Sequence, residues 1–117
     1  YSAADAVLLP SRQDNLPNIA VEAQACGTPI VAFKIGGLPD IVVHKCTGYL
    51  AKAFDTNDLA AGIRWVLGHH SPCCSVTCDD DGVSDNIRKQ SRKQAVAQFS
   101  NVVVVDQYLA IYSKNLK

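Results

Sequence analysis

The chain has 117 residues, 48% hydrophobic and 19% charged, which fits one globular domain and excludes general disorder. Eleven Lys and Arg balance eleven Asp and Glu, so there is no electrostatic case for nucleic acid or an anionic membrane as partner. No apolar stretch nears the roughly 20 residues of a membrane-spanning helix.

Residues 6–10, Ala-Val-Leu-Leu-Pro, form a first short apolar run, closed by Pro10 and a polar loop. Residues 29–33, Pro-Ile-Val-Ala-Phe, form a second, and residues 48–51, Gly-Tyr-Leu-Ala, a weaker third. The first two do not alternate, which is the pattern of strands buried on both faces of a parallel sheet. Between them, residues 17–26 predict a helix. Pro17 suits the first helical position, Gly27 supplies the left-handed residue after the last turn, and Ile19, Ala20, Ala23 and Cys26 share one face. Residues 39–44 predict a short helix opened by Pro39 and Asp40.

Residues 56–67 give the clearest helix, with Asp55 or Thr56 as cap, Asp58 at its positive end and Gly68 as stop. Its apolar stripe is Leu59, Ile63, Val66 and Leu67, with Trp65 to one side. Residues 69–83 break the pattern and read as an exposed variable loop. Helices resume at 84–99, with Ser84 as cap and Ile87, Ala95, Val96 and Phe99 inward, and at 103–116, with Val105, Tyr108, Leu109, Tyr112 and Leu116 along one side. Val102 to Val105 is β-branched and compatible with a strand, but the helical spacing continues to Leu116.

This alternation predicts an α/β fold: a three-layer, Rossmann-like parallel sheet with right-handed crossovers. Three strands are few for such a sheet. The chain opens at Tyr1 and contains no Met, and no signal peptide is visible. The simplest expectation is a piece of a longer protein. Five cysteines at irregular spacing are a poor disulfide framework, so reduced thiols in a cytoplasmic protein are expected.

The chemistry concentrates in Pro10 to Phe33, which runs strand, polar loop, helix, strand. In an open parallel sheet, ligands bind outside the carboxyl ends of the strands, where the loop Ser11–Leu16 lies. The following helix aims its first N–H groups and positive dipole end at the same space. The N–H groups of Asn18 and Ile19 can meet a phosphate. Asp14 and Glu22 flank this helix end, and as anions they are good acceptors for neutral hydroxyls of a sugar or ribose. The plainer alternative makes both of them surface charges.

The spacing Asp14-x7-Glu22, followed by Ala23-x-Ala25-Cys26-Gly27-Thr28-Pro29-Ile30-Val31-Ala32, resembles the C-terminal signature of retaining nucleotide-sugar glycosyltransferases of family 4, the group 1 transferases. That family carries Glu-x7-Glu before an Ala-x-Ala-Cys-Gly-x-Pro-Val stretch. Tyr1 to Ser11, Gly36-Gly37-Leu38-Pro39-Asp40-Ile41-Val42, Gly48-Tyr49-Leu50 and Asp58-Leu59-Ala60 are similar to it as well. The resemblance spans residues 1–67, thins through 69–83 and returns weakly at Phe99-Ser100 and at Tyr108, Leu109 and Tyr112.

The resemblance implies a GT-B fold, in which two Rossmann-like domains face each other across a cleft. Residues 1–117 would be part of the C-terminal, donor-binding domain. Glu22 would accept hydrogen bonds from the nucleotide ribose, and Asp14 would be the catalytic-site carboxylate touching the donor sugar. Asp14 stands where the family has Glu, one methylene shorter with the same charge. Asn15, Leu16 and Asn18 match the loop whose backbone surrounds sugar and diphosphate. No metal or other cofactor is implied, and the implied partners are a nucleotide-sugar donor and an N-terminal acceptor domain. The chain alone is expected to be inactive. The competing reading is a stand-alone, non-catalytic α/β binding or assembly module, in which Asp14 and Glu22 are idle.

Three features admit separate readings. Gly36-Gly37 is a turn or a close approach to phosphate. His69, His70, Cys73, Cys74 and Cys78 suggest zinc by composition, but no Cys-x2-Cys pair is present and a loop is the simpler reading. Asp79-Asp80-Asp81-Gly82 lacks a calcium loop's length and closing Glu, which favours a solvated turn. His44 and Lys45 read as surface residues at a helix end. The strand at 6–10 is expected to have a bare apolar outer edge, which invites pairing with a second copy of the chain and predicts a homo-oligomer.

Overall fold

The computed structural model describes residues 1–13, 15–68 and 83–116, with the side chains of residues 83–86 left aside. The elements follow in the order β1 (Val7–Leu9), α1 (Asn18–Ala25), β2 (Ile30–Phe33), α2 (Leu38–Ile41), β3 (Gly48–Ala51), α3 (Thr56–Gly68), α4 (Val83–Phe99) and α5 (Asn101–Asn115). The three strands form one parallel sheet in the order β1-β2-β3. Val7 stands opposite Ile30, and Ile30 opposite Gly48. All three expected strands and all five expected helices are present.

All four residues of β2 are buried, as a non-alternating central strand requires. Successive side chains point to opposite faces. Ile30 and Ala32 join Leu9, Ala20, Ala23, Leu38, Ile41 and Val42 in one core cluster, with Leu50 and Phe99 packed against it. Val31 and Tyr49 face the other way. A Cβ at Gly62 of α3 would stand 3.0 Å from Val31 Cγ1 and 2.9 Å from Tyr49 Cγ. α1 and α2 therefore cover one face and α3 the other, the expected three-layer arrangement.

The helix ends show why these residues stop where they do. Gly27 adopts φ 76°. Its N–H donates to Gln24 O at 2.8 Å, and Thr28 N–H donates to Ala23 O at 2.9 Å, a Schellman closure. Pro17 is the residue before α1 rather than its first helical residue. α2 ends at Ile41, because Val42 turns extended at φ −101° and ψ 121°. α4 opens at Val83, one residue before the Ser84 expected to cap it. α5 is a helix and not a strand, and Ser100 caps it by accepting from Val103 N–H at 3.4 Å.

Two inward faces depart from expectation for one reason: α4 lies across α1. On α1 the buried residues are Ala20, Ala23 and Gln24, while Ile19 is 47% exposed and Cys26 is exposed. On α4, Ser91 and Ala95 are buried and Val96 is 51% exposed. Polar bonds tie the two helices to each other and to the segments around them. Gln24 Nε2 donates to Thr47 Oγ1 at 3.0 Å, and Ser91 Oγ donates to Thr47 O at 3.0 Å. Arg92 donates to Ala25 O at the end of α1 at 2.8 Å, and Arg88 donates to Ala4 O at 2.5 Å. α5 buries none of its residues; Val105, Tyr108, Leu109 and Tyr112, expected along one side of it with Leu116, are exposed. Reduced thiols were expected throughout; Cys26 is free, but Cys46 is disulfide-bonded. No helix among the described residues is long and apolar enough to cross a membrane.

Candidate functional site

Parallel strands put three loops at one edge of the sheet. The segment after β1 leads through Asn15 and Leu16 to α1, the segment after β2 carries Gly36 and Gly37, and the segment after β3 carries Phe54. The first two loops are packed together: a Cβ on Gly37 would stand 2.9 Å from the carbonyl carbon of Asn15 and 3.3 Å from Leu16 Cδ1. The third is joined to the sheet by Phe54, whose ring lies 6.1 Å from that of Phe33. Gly36 holds φ 54°, so the Gly36-Gly37 pair is a turn that seats the Asn15 carbonyl. That packing role was not foreseen, although the double glycine marks the place.

α1 then rises from this edge. Pro17 precedes it without a side-chain cap, and no acidic residue stands in its first turn. The N–H groups of Asn18 and Ile19 thus carry the helix's positive end with no acidic residue in that first turn to answer it. Asn18 and Glu22 are one turn apart and share a face. Asn18, Ile19 and Glu22 are all exposed, while Ala20, Ala23 and Gln24 turn inward. Asn15 and Leu16 are exposed beside them. Asn15, Leu16, Asn18 and Ile19 thus lie at the start of α1, with Glu22 one turn further along the exposed side of the helix. Asp14 and the His69–Cys78 cluster lie outside the described residues.

Tyr1 is an addition that the residue pattern did not suggest. Thr28 Oγ1 donates to Tyr1 O at 2.7 Å, which ties the start of the chain to the end of α1. Partial desolvation, and then the carboxylate of Glu22 beside it, hold the Tyr1 phenol above its ordinary value. Glu22 therefore stands in a polar, solvent-facing setting with a hydroxyl neighbour, the setting of a carboxylate that exchanges hydroxyl partners. Among the described residues no group of three or more His, Cys, Asp or Glu side chains could hold a metal ion. A face combining free N–H donors, a helix dipole and one carboxylate suits a ligand with both an anionic group and neutral hydroxyls.

On the remaining surface, His44 and Lys45 are exposed, as expected. His44 Nδ1 nevertheless accepts from Leu50 N–H at 3.0 Å. Trp65 packs with its ring 6.1 Å from Tyr49.

Residues 1–73 match the family profile described as glycosyl transferases group 1. D-inositol 3-phosphate glycosyltransferase of Mycolicibacterium smegmatis is 38% identical over 114 residues, 97% of this chain and 23% of that protein. N-acetyl-alpha-D-glucosaminyl L-malate synthase of Bacillus anthracis is 29% identical over 109 residues, 93% of this chain and 26% of that one. Among solved structures, sucrose-phosphate synthase of Thermosynechococcus elongatus superposes with a TM-score of 0.80 at 30% identity, covering 99% of this chain and 26% of that chain. HepE of Anabaena in complex with UDP gives 0.79 at 25% identity, covering 97% of this chain and 28% of that one. HepE has also been solved with UDP-glucose. The chain spans about a quarter of the length of these relatives. The motifs, the three-layer sheet and the matches agree: this chain belongs to the group 1 glycosyl transferases, whose structural neighbours here have the GT-B fold.

Proposed function

We propose that this chain is the donor-binding part of a retaining glycosyltransferase, which moves a sugar from a nucleotide diphosphate sugar to an acceptor hydroxyl. The observation that carries the reading is the exposed face of Asn18, Ile19 and Glu22. It sits on the uncapped start of α1 at the carboxyl edge of the sheet, in a chain similar to a D-inositol 3-phosphate glycosyltransferase and to HepE, which has been solved with UDP-glucose.

In this reading Glu22 accepts hydrogen bonds from the ribose hydroxyls. The N–H groups of Asn18 and Ile19 meet the diphosphate, with the dipole of α1 behind them. The backbone of Asn15 and Leu16 surrounds the sugar, and Asp14 is the catalytic-site carboxylate that touches it. No resident metal or other cofactor is assigned.

Transfer needs groups from both walls of a cleft, because orientation and charge stabilisation act together on the reacting atoms. Residues 1–117 are thus a partial C-terminal domain, inactive alone and completed by an N-terminal acceptor domain. The place of work is the cytoplasm, and no nucleic acid is involved. Where β1 is not covered by further chain, its edge pairs with a second copy. Leu8 lies on that strand and is 47% exposed.

Calorimetry with UDP and UDP-glucose, on the wild-type chain and on Glu22→Ala, tests the reading. It expects binding, weakened about tenfold or more by loss of the charge-assisted bonds. Equal affinity in the variant removes the ribose role of Glu22. No binding of either ligand removes the donor-site reading for this chain.

A further inference from the structure

The outer edge of β3 is closed by side chains. Lys34 N–H donates to Ala51 O at 2.7 Å, so Ala51 faces β2. Alternation along a parallel ladder then turns the backbone groups of Gly48, Leu50 and Lys52 away from the sheet. Groups of this kind are the template on which a foreign strand adds. Here at least one group of each residue is taken, and Gly48 is bridged in parallel to His44. Gly48 O accepts from Lys45 N–H at 2.8 Å, Leu50 N–H donates to His44 Nδ1 at 3.0 Å, and Lys52 N–H donates to Asp58 Oδ2 at 2.7 Å. A left-handed backbone at Lys45, φ 61°, brings the His44 loop back along the strand.

The two side-chain seals differ in chemistry. The Asp58 carboxylate accepts from Lys52 N–H and, at 2.8 Å, from the Tyr49 hydroxyl. Both bonds favour its ionised form and hold its pKa below the ordinary value. His44 is an imidazole, and Nδ1 accepts only while it carries no proton. Its ring packs 4.6 Å from that of Tyr49, tilted by 59°.

The groups facing His44 come from each neighbouring element. Burial lowers its pKa most, followed by Lys45 of its own loop; Lys34 beyond β2 acts in the same direction, and Asp58 of α3 opposes them. Tyr49 of β3 is a neutral neighbour, its own pKa raised by the bond to Asp58. The imidazole is therefore neutral in the resting fold.

We infer that His44 is a pH-gated latch on the outer edge of β3: neutral, it occupies the Leu50 N–H; protonated at Nδ1, it releases that one group while the bonds at Gly48 and Lys52 stay in place. Asp58 is the fixed seal beside it, and it stays ionised through the range in which His44 titrates. The latch depends only on the fold and is independent of the donor-site reading.

Amide hydrogen exchange and imidazole nitrogen shifts of the intact chain, from about pH 8 to about pH 5, test it. The expected result is a neutral His44 with its proton on Nε2. Leu50 protection then falls about tenfold through the His44 midpoint while Lys52 keeps its own. In His44→Ala, Leu50 is unprotected at every pH. Leu50 protection that is flat with pH, or a neutral tautomer with the proton on Nδ1, overturns the latch. So does joint loss of protection at Leu50 and Lys52, which reports opening of the whole strand. The wild-type titration decides the matter even if the variant fails to fold.

Discussion

Gly37 is where the loop of the proposed donor site meets the rest of the fold most closely. A Cβ there stands 2.9 Å from the carbonyl carbon of Asn15, closer still to its oxygen, and 3.3 Å from Leu16 Cδ1. The backbone of Gly37, at φ −85° and ψ 0°, suits alanine, so Gly37→Ala acts through contact and not through strain at its own dihedrals. Non-bonded carbons rest about 3.5–4.0 Å apart and the carbonyl oxygen stands nearer still, so the Asn15 carbonyl must retreat by more than about 1 Å. Asn15 and Leu16 are exposed, and the loop can move outward without disturbing the core. The contact is with backbone, so the stability loss spans the range for overpacking, about 1–3 kcal/mol, or about 4–12 °C in Tm for a domain of this size. The ligand feels the same shift, because a displacement of about 1 Å in a positioning loop costs up to about a hundredfold where geometry decides. Thermal unfolding and calorimetry with UDP and UDP-glucose measure both. UDP-glucose affinity is expected to fall about tenfold, and UDP, held in this account by Glu22 and the start of α1, less. A variant that loses stability yet binds UDP-glucose like wild type refutes the placing of the sugar against Asn15 and Leu16.

Gly62→Ala sets a Cβ 2.9 Å from Tyr49 Cγ and 3.0 Å from Val31 Cγ1. With Tyr49 held by Asp58 and His44, stability in chemical denaturation is expected to fall by about 1–3 kcal/mol, despite alanine's better helix propensity. Gln24 is fully buried, with Nε2 bonded to Thr47 and Oε1 without a partner among the described residues. Gln24→Met is therefore expected to change stability by less than about 1 kcal/mol, since the lost bond is offset by removal of an unsatisfied acceptor. Acidification is expected to lower stability in two ordered steps. His44 has a folded pKa below its ordinary 6.5, so its contribution is complete above that value and is lost as pH falls through the folded one. Asp58, lowered from 3.8, keeps its full contribution above that value and loses it as pH falls from there through its own depressed one. A stability curve that is flat between neutrality and about pH 5 contradicts the first step. Sedimentation across a concentration series is expected to show self-association, and a monomer throughout contradicts pairing at β1.

The elements were legible because each rests on local chemistry: unbroken apolar runs for β1 and β2, a glycine after α1, and the 3-and-4 spacing of α3 and α5. The inward faces were less so. Ile19 and Cys26 look inward on a wheel of α1 alone, but α4 arrives from far along the chain and buries Gln24 instead. No local pattern announces a polar contact such as Ser91 to Thr47. Gly36-Gly37 was read as a turn or a close approach to phosphate and Gly62 was not singled out, whereas Gly37 and Gly62 are approach points for other parts of the chain, visible only when the opposing segment is in place. The motif spacing keeps Asn15, Leu16, Asn18, Ile19 and Glu22 in one stretch of chain, since loop and helix are contiguous. Tyr1 was missed because its contact with Glu22 closes through the fold.

The most direct test of the central claim is amide chemical-shift mapping of the intact chain during titration with UDP. The account predicts shifts centred on Asn15 to Ile19 and Glu22, with α5 and the outer edge of β3 unmoved. Shifts centred elsewhere, or none at saturating UDP, would contradict it.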